Sequence, residues 1–233
     1  ASAGIVINVW VALALGLSGI VLMIAFLRFD GDARTLLLPR SSRHFTSAAG
    51  SGYAMVFAMS ASAIAFSVYG AAILQALYGT SPLTAGYILA IESMGWTITA
   101  LAVAGLGVRW EGVMLKGGAL SVLVGCVLLS LTMSAGPLIA ICVAAAFLGS
   151  GFGLAWAFVT RRIMMAVPDD ERALASAAMP TMQMIGYATG SAGAGVIANF
   201  LGFADGIDAT TAASGAFWLF GAFVPVAFCA VLA

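Results

Sequence analysis

Residues 45–91 read FTSAAGSGYAMVFAMSASAIAFSVYGAAILQALYGTSPLTAGYILAI, 47 positions without one charged side chain. A helix crosses the hydrocarbon core of a bilayer in about 20 residues. The stretch is too long for one crossing and long enough for two. Its dividing point is Tyr78-Gly79-Thr80-Ser81-Pro82, a turn followed by a Ser cap with proline at the first helical position. The reading is therefore two membrane helices joined by a short uncharged connection. A membrane barrel would instead alternate polar and apolar residues over about ten positions per strand.

The rest of the chain repeats the pattern. Further uncharged stretches cover residues 1–27, 93–108, 117–160, 173–204 and 209–233. The stretch 117–160 divides at Ser134-Ala135-Gly136-Pro137, a second turn with a proline-led restart. This predicts an all-α polytopic membrane protein with seven spans, at about 4–27, 49–77, 83–106, 114–134, 138–160, 173–199 and 210–233. Composition agrees. Of 233 residues 8 % are charged and 63 % hydrophobic, against roughly 25 % charged in soluble domains. The mean hydropathy is +1.11. These values exclude a soluble enzyme, a disordered chain, a nucleic-acid-binding domain and a disulfide scaffold.

Basic residues orient the spans. Arg28, Arg34, Arg40 and Arg43 follow the first span, with His44 among them. Arg109 and Lys116 separate spans three and four, and Arg161, Arg162 and Arg172 separate spans five and six. With seven spans, all nine fall on one side, which the positive-inside rule makes cytoplasmic. The amino end is then outside, the carboxyl end inside, and Asp205 and Asp208 lie outside. The membrane expected is the plasma (inner) membrane. The chain opens on Ala1-Ser2-Ala3-Gly4 and stops at Ala233 within an apolar run. Both ends suggest a piece of something longer, with processing at the amino end as the alternative.

Glu92 is the only acidic side chain inside a predicted span, and Lys116 stands at the edge of its own. It stands about nine residues from the outer end of its helix, or roughly 14 Å at 1.5 Å per residue. A carboxyl at that depth is costly and usually faces a protein interior or a wet cavity. One that changes protonation as water access changes couples proton movement to transport, so Glu92 is the candidate proton carrier. A neutral, structural carboxyl is the alternative. Ser93, Trp96 and Thr99 share or border its face. Gln75, Tyr78, Trp96, Trp156, Gln183 and Tyr187 are the candidate cavity lining. Interhelical hydrogen bonding, packing or interface anchoring would equally explain these types.

Small residues recur at helical spacing. Gly117, Ser121 and Gly125 form one strip, Gly149 and Gly153 another, and Gly186, Gly190, Ala194 and Ala198 the longest. All three read as close-packing surfaces. Pro180 and Pro225 should bend their helices. Arg109, Lys116, Arg161, Arg162, Asp169, Glu171 and Arg172 form a cytoplasmic gate or loop set, and part of that pattern complements helix dipoles. Cys126, Cys142 and Cys229 have no metal-ligand spacing. There is no phosphate-binding GxxxxGK[ST] loop, HExxH or nucleophile elbow, so neither an enzyme nor a cofactor is expected.

Three connections resemble those of the major facilitator superfamily. Ala104–Gly117 is similar to the family's short basic loop, keeping Arg109, Gly112 and Lys116 but placing Val108 where an Asp is usual. Val167-Pro168-Asp169-Asp170-Glu171-Arg172, continuing to Gln183, Gly186, Gly190 and Gly195, is similar to the start of the penultimate helix. Tyr78–Gly86 looks like the outer turn that opens the carboxyl-terminal half of fourteen-helix drug–proton antiporters, and Phe29–Pro39 like the linker before it. The resemblance implies a transmembrane helix at 1–27, a cytoplasmic linker at 28–47 and a six-helix carboxyl-terminal transporter half at 48–233. It implies a second half in the same or another chain, a small-molecule substrate and protons as partners, alongside the lipid bilayer. It implies proton-coupled efflux of hydrophobic or cationic compounds by alternating access. The alternatives are an uncoupled or metabolite-specific facilitator and a non-transporting membrane subunit. A retinal protein needs a lysine in its last span, and the single lysine is Lys116. The motifs of the main receptor family are missing as well.

Overall fold

A computed structural model describes residues 47–203 and 206–233, together with Val21 and Pro39. Apart from Val21, the span expected at 4–27 lies outside the described residues, as do the linker residues Arg28, Arg34, Arg40, Arg43 and His44, and Asp205. Among residues 47–203 and 206–233 there are seven α-helices: α1 (Ala48–Tyr78), α2 (Pro82–Val103), α3 (Glu111–Thr132), α4 (Leu138–Ala166), α5 (Arg172–Phe200), α6 (Ala209–Gly221) and α7 (Val224–Leu232). Single 3₁₀ turns, Val108–Trp110 and Asp169–Glu171, precede α3 and α5. The protein is an all-α integral membrane protein. Among the described residues five segments are long and apolar enough to cross a bilayer: α1, α2, α3 with its leading turn, α4, and α6 and α7 taken together. α5 has 29 residues, about 43 Å at 1.5 Å each. It has the length but is less apolar than the others, because glycines, Ser176, Thr181, Gln183, Thr189 and Asn199 interrupt it.

Local chemistry sets the helix ends. α1 stops at Gly79, whose φ of 60° suits a residue without a Cβ, and the Gly79 N–H donates to the Gln75 carbonyl at 3.1 Å. Ser81 then caps α2, its hydroxyl accepting from the Thr84 N–H at 3.1 Å, with Pro82 as the first helical residue. Pro137 holds the cap position of α4. α2 ends at Val103, three residues short of expectation, as the chain enters Gly105 and Gly107. α4 instead runs six residues past the expected 160, because nothing before Val167-Pro168 opposes a helix. Arg161 and Arg162 are thus inside the helix.

The two internal prolines behave differently. α5 continues without a break through Pro180. Pro225, having no N–H, cannot continue the hydrogen-bond ladder of α6. The chain tightens there, with the Phe223 N–H donating to the Phe220 carbonyl at 3.2 Å, and restarts as α7 with proline in its first turn. At the other end of α6, Asp208 forms a capping box. Its carboxylate accepts from the Thr210 and Thr211 N–H groups at 3.0 and 2.8 Å, while the Asp208 N–H donates to the Thr211 hydroxyl at 3.1 Å.

α1 packs against every other helix. Its buried positions are dominated by Ala, Ser and Gly, from Ala49 and Gly52 through Ser60, Ala61, Ser62 and Ala63 to Gly70. Small side chains all round let neighbours approach from several directions. α4 is held between α2 and α3. A Cβ on Gly149 would overlap the Glu92 carbonyl of α2, and one on Gly153 would overlap Thr99 Oγ1 and the Trp96 carbonyl. On the α3 side a Cβ on Gly125 would meet Leu148 at 2.8 Å, and one on Gly118 would meet Ala155 Cβ at 2.6 Å. Gly117, expected in that strip, faces open space, and Gly118 takes its place. Spacing by fours from Gly125 and Ser121 selects 117, whereas a helix of 3.6 residues per turn turns 118 inward. On α5, a Cβ at Gly186 would stand 2.7 Å from the Phe57 carbonyl of α1, and one at Gly190 would overlap the Ala61 carbonyl. Ala194 and Ala198 are buried along the same helix.

Hydroxyls stitch these seams by donating to carbonyls of the neighbouring helix: Tyr53 to Ala175 at 2.9 Å, Ser121 to Phe147 at 2.7 Å, and Ser130 to Phe217 at 3.0 Å. The start of α1, the starts of α3 and α5 and the ends of α4 and α7 share one end of the bundle. Arg109, Lys116, Arg161, Arg162 and Arg172 therefore gather at that end.

Two predictions follow from these contacts. Gly118→Val should destabilise the bundle by about 2 kcal/mol through overpacking, while Gly117→Ala is tolerated or mildly stabilising, as read by thermal unfolding in detergent. The second concerns Asp208. The backbone hydrogen bond from Thr211, then the Thr210 and Thr211 hydroxyls, hold its carboxyl down at about 2, below the ordinary value of about 3.9. A lowered carboxyl stabilises the fold above its ordinary value and loses that contribution as pH falls. The melting-temperature gap between the natural protein and Asp208→Ala should be flat above about pH 4 and close towards about pH 2.

Candidate functional site

Glu92 is the eleventh of the 22 residues of α2, so its side chain leaves the helix at mid-length. Two contacts fix that turn. Behind it, Gly149 admits the Glu92 carbonyl against α4, and one turn on, a Cβ at Gly95 would meet the Ala146 carbonyl at 2.8 Å. In front, the Ser67 hydroxyl of α1 donates to Glu92 Oε2 at 3.4 Å. The carboxylate is also within electrostatic reach of Tyr187 on α5 and Cys126 on α3.

Gln183 and Tyr187 do meet. The buried Gln183 donates through Nε2 to the Tyr187 hydroxyl at 3.2 Å, one turn along α5. The sequence spacing had placed them on one face. Ser60, on the α1 seam with α5, is fully buried, and its hydroxyl has no hydrogen-bond partner. Ser67 and Val68 are exposed although they belong to the helix with the most buried residues. α2 is open over most of its surface: Leu83, Tyr87, Met94, Ile98 and Leu101 are all exposed, and Ala85, Ile88 and Val103 are its buried positions.

Other candidates sit elsewhere. Trp96 stacks on Phe152 with ring centroids 5.0 Å apart and tilts against Trp156 at 5.7 Å. This aromatic cluster cements α2 to α4. Trp156 also borders a crevice of about 10 Å³ with Val56 and Met59, too small for a substrate. The Tyr78 hydroxyl lies among the carbonyls of Thr132, Met133 and Gly136, at 3.3, 3.2 and 2.9 Å. It ties α1 to the α3–α4 turn and serves carbonyls that the end of α3 leaves open. Gln75 donates to the Ala71 carbonyl of its own helix at 3.1 Å. Within this bundle these four make packing or hydrogen-bond contacts.

The charged set at the basic end is partly tied. Arg161 Nε stands 3.7 Å from Glu111 Oε2, and its guanidinium lies 4.9 Å over the Phe158 ring. Arg172 pairs with Asp169 at 2.9 Å and donates to the Met164 carbonyl at 3.2 Å, which pins the α4–α5 connection. Glu171 stands at the N-terminal boundary of α5, and Arg109 lies 6.0 Å from the Trp110 ring centroid. Lys116 and Arg162 line a cavity of their own.

Sequence reasoning missed Ser67, Ser60 and Tyr53. The signal was present as polar side chains within an otherwise apolar span two, but serines among alanines are common in membrane helices. Among the described residues no group of three or more His, Cys, Asp or Glu could hold a metal ion. No protein-family model matches the chain, and no curated protein matches it. Tyr78→Phe should lower thermal stability by about 1 kcal/mol, the net worth of a hydrogen bond, measured by unfolding in detergent.

Proposed function

We propose that the described chain is the six-crossing carboxyl-terminal half of a secondary transporter of the major facilitator type. Its leading role is proton-coupled export of small hydrophobic or cationic compounds by alternating access, with Glu92 carrying the proton. The observation that carries the reading is Glu92 itself, a carboxyl at mid-length of a membrane helix. It is hydrogen-bonded from α1 and backed by glycine contacts that fix its turn. Such groups in membrane proteins mark ion or substrate pathways.

Three further features support it. α1 to α5 and the α6–α7 pair are six long helical segments, five of them apolar enough to cross a bilayer. The Gln183–Tyr187 pair supplies neutral hydrogen-bonding groups on α5. The apolar outer face of α2 and the less apolar α5 give the bundle surface a second half could cover. In this reading the basic end is cytoplasmic. A proton taken up at Glu92 from one side and released to the other moves with each cycle, while substrate binds between the two halves.

The test uses the full-length protein in liposomes with an imposed pH gradient and a fluorescent lipophilic cation as probe. Glu92→Gln should bring gradient-driven export to background while leaving the chromatographic profile unchanged, and Glu92→Asp should retain part of it. Undiminished gradient-driven export by a folded Glu92→Gln protein would overturn the coupling role. Absence of any gradient-driven export by the natural protein would overturn the antiport reading.

A further inference from the structure

A cavity of about 200 Å³ opens at the basic end between α1, α3, α4 and α7, with Ser51, Gly52, Leu115, Lys116, Arg162 and Leu232 in its lining. It belongs to neither the Glu92 cluster nor the path proposed above. Both titratable side chains in its lining are cations. Among the described residues neither carries an ion pair; Glu111 is engaged with Arg161 and Asp169 with Arg172. Lys116 is the sixth residue of α3, and Arg162 stands four residues before the end of α4. Both are within about 10 Å of a helix end at 1.5 Å per residue, the level of lipid headgroups. The remaining walls include Met55, Val159 and Val231. Two cations without an ion pair among the described residues, over apolar walls, suit an anion that carries hydrocarbon. The volume takes a headgroup, and drug-sized ligands need roughly 300 Å³ or more.

We infer that this cavity binds a phosphate ester, with Lys116 and Arg162 gripping the anion and the apolar walls receiving the first carbons of a phospholipid. Basic pockets between membrane helices recognise anionic headgroups by this chemistry. The inference is independent of the transport reading. The experiment equilibrates the purified full chain with vesicles of phosphatidylglycerol or phosphatidylcholine and counts retained lipid by native mass spectrometry, with inorganic phosphate as a competing arm. Phosphatidylglycerol should be retained in preference. The double variant Lys116→Gln with Arg162→Gln should lower its retention roughly tenfold or more. The charge-keeping pair Lys116→Arg with Arg162→Lys should retain it, which separates charge from folding. Binding of inorganic phosphate that is lost in the Gln pair, without retained lipid, assigns the site to a soluble ester. Equal retention of the two lipids with no phosphate binding, or retention that survives both Gln substitutions, overturns the inference.

Discussion

Lipid tails are as apolar as leucine, so a membrane helix gains little by hiding leucine from them. What holds this bundle is contact at short range. At Gly149, Gly153, Gly118 and Gly190 a single added carbon would collide with backbone or side chain of the next helix. Dispersion attraction falls steeply with distance, so such sites concentrate the energy of association. α1 extends the principle to a whole helix. Its Ala, Ser and Gly positions let six neighbours reach it, and the remaining helices are placed by reference to it.

The same contacts position the chemistry. The carbonyl received by Gly149 belongs to Glu92, and its side chain meets Ser67 on the opposite side of α2. A glycine that reads as mere packing therefore sets where the carboxyl stands. Trp96 and Thr99, one and two turns further, clamp the same seam through Phe152, Trp156 and the Ser150 carbonyl at 3.2 Å. The membrane depth of the acid is thus fixed by one face of α2, leaving the other face open.

Much of this was legible in the sequence for a physical reason: charges and turn formers are costly in helices that cross lipid, so most of them punctuate the chain. Tyr78–Pro82 and Ser134–Pro137 marked their turns correctly, and the depth of Glu92 followed from counting. Side-chain partners were not legible. Tyr78 and Trp156 carry the same residue types that line cavities, and only the neighbouring helix shows that one serves a turn and the other a stack. The choice between Gly117 and Gly118 turned on a fraction of a residue per turn. The extension of α4 past Arg162 needed the absence of a breaker, a weaker signal than the presence of one.

The divided last crossing has a consequence for how the chain enters a membrane. α6 has 13 residues and α7 has nine, about 20 and 14 Å, and neither alone spans a hydrocarbon core of about 30 Å. Taken together, the 24 residues Ala209–Leu232 do. Insertion machinery that reads accumulated hydropathy would accept the pair as one segment. The joint at Ala222–Phe223 then acquires separate supports, with the Ser130 hydroxyl on the Phe217 carbonyl before it and α1 packed along α7 after it. Topology is in this way decided by hydropathy at the moment of insertion, and shape is decided later by neighbours.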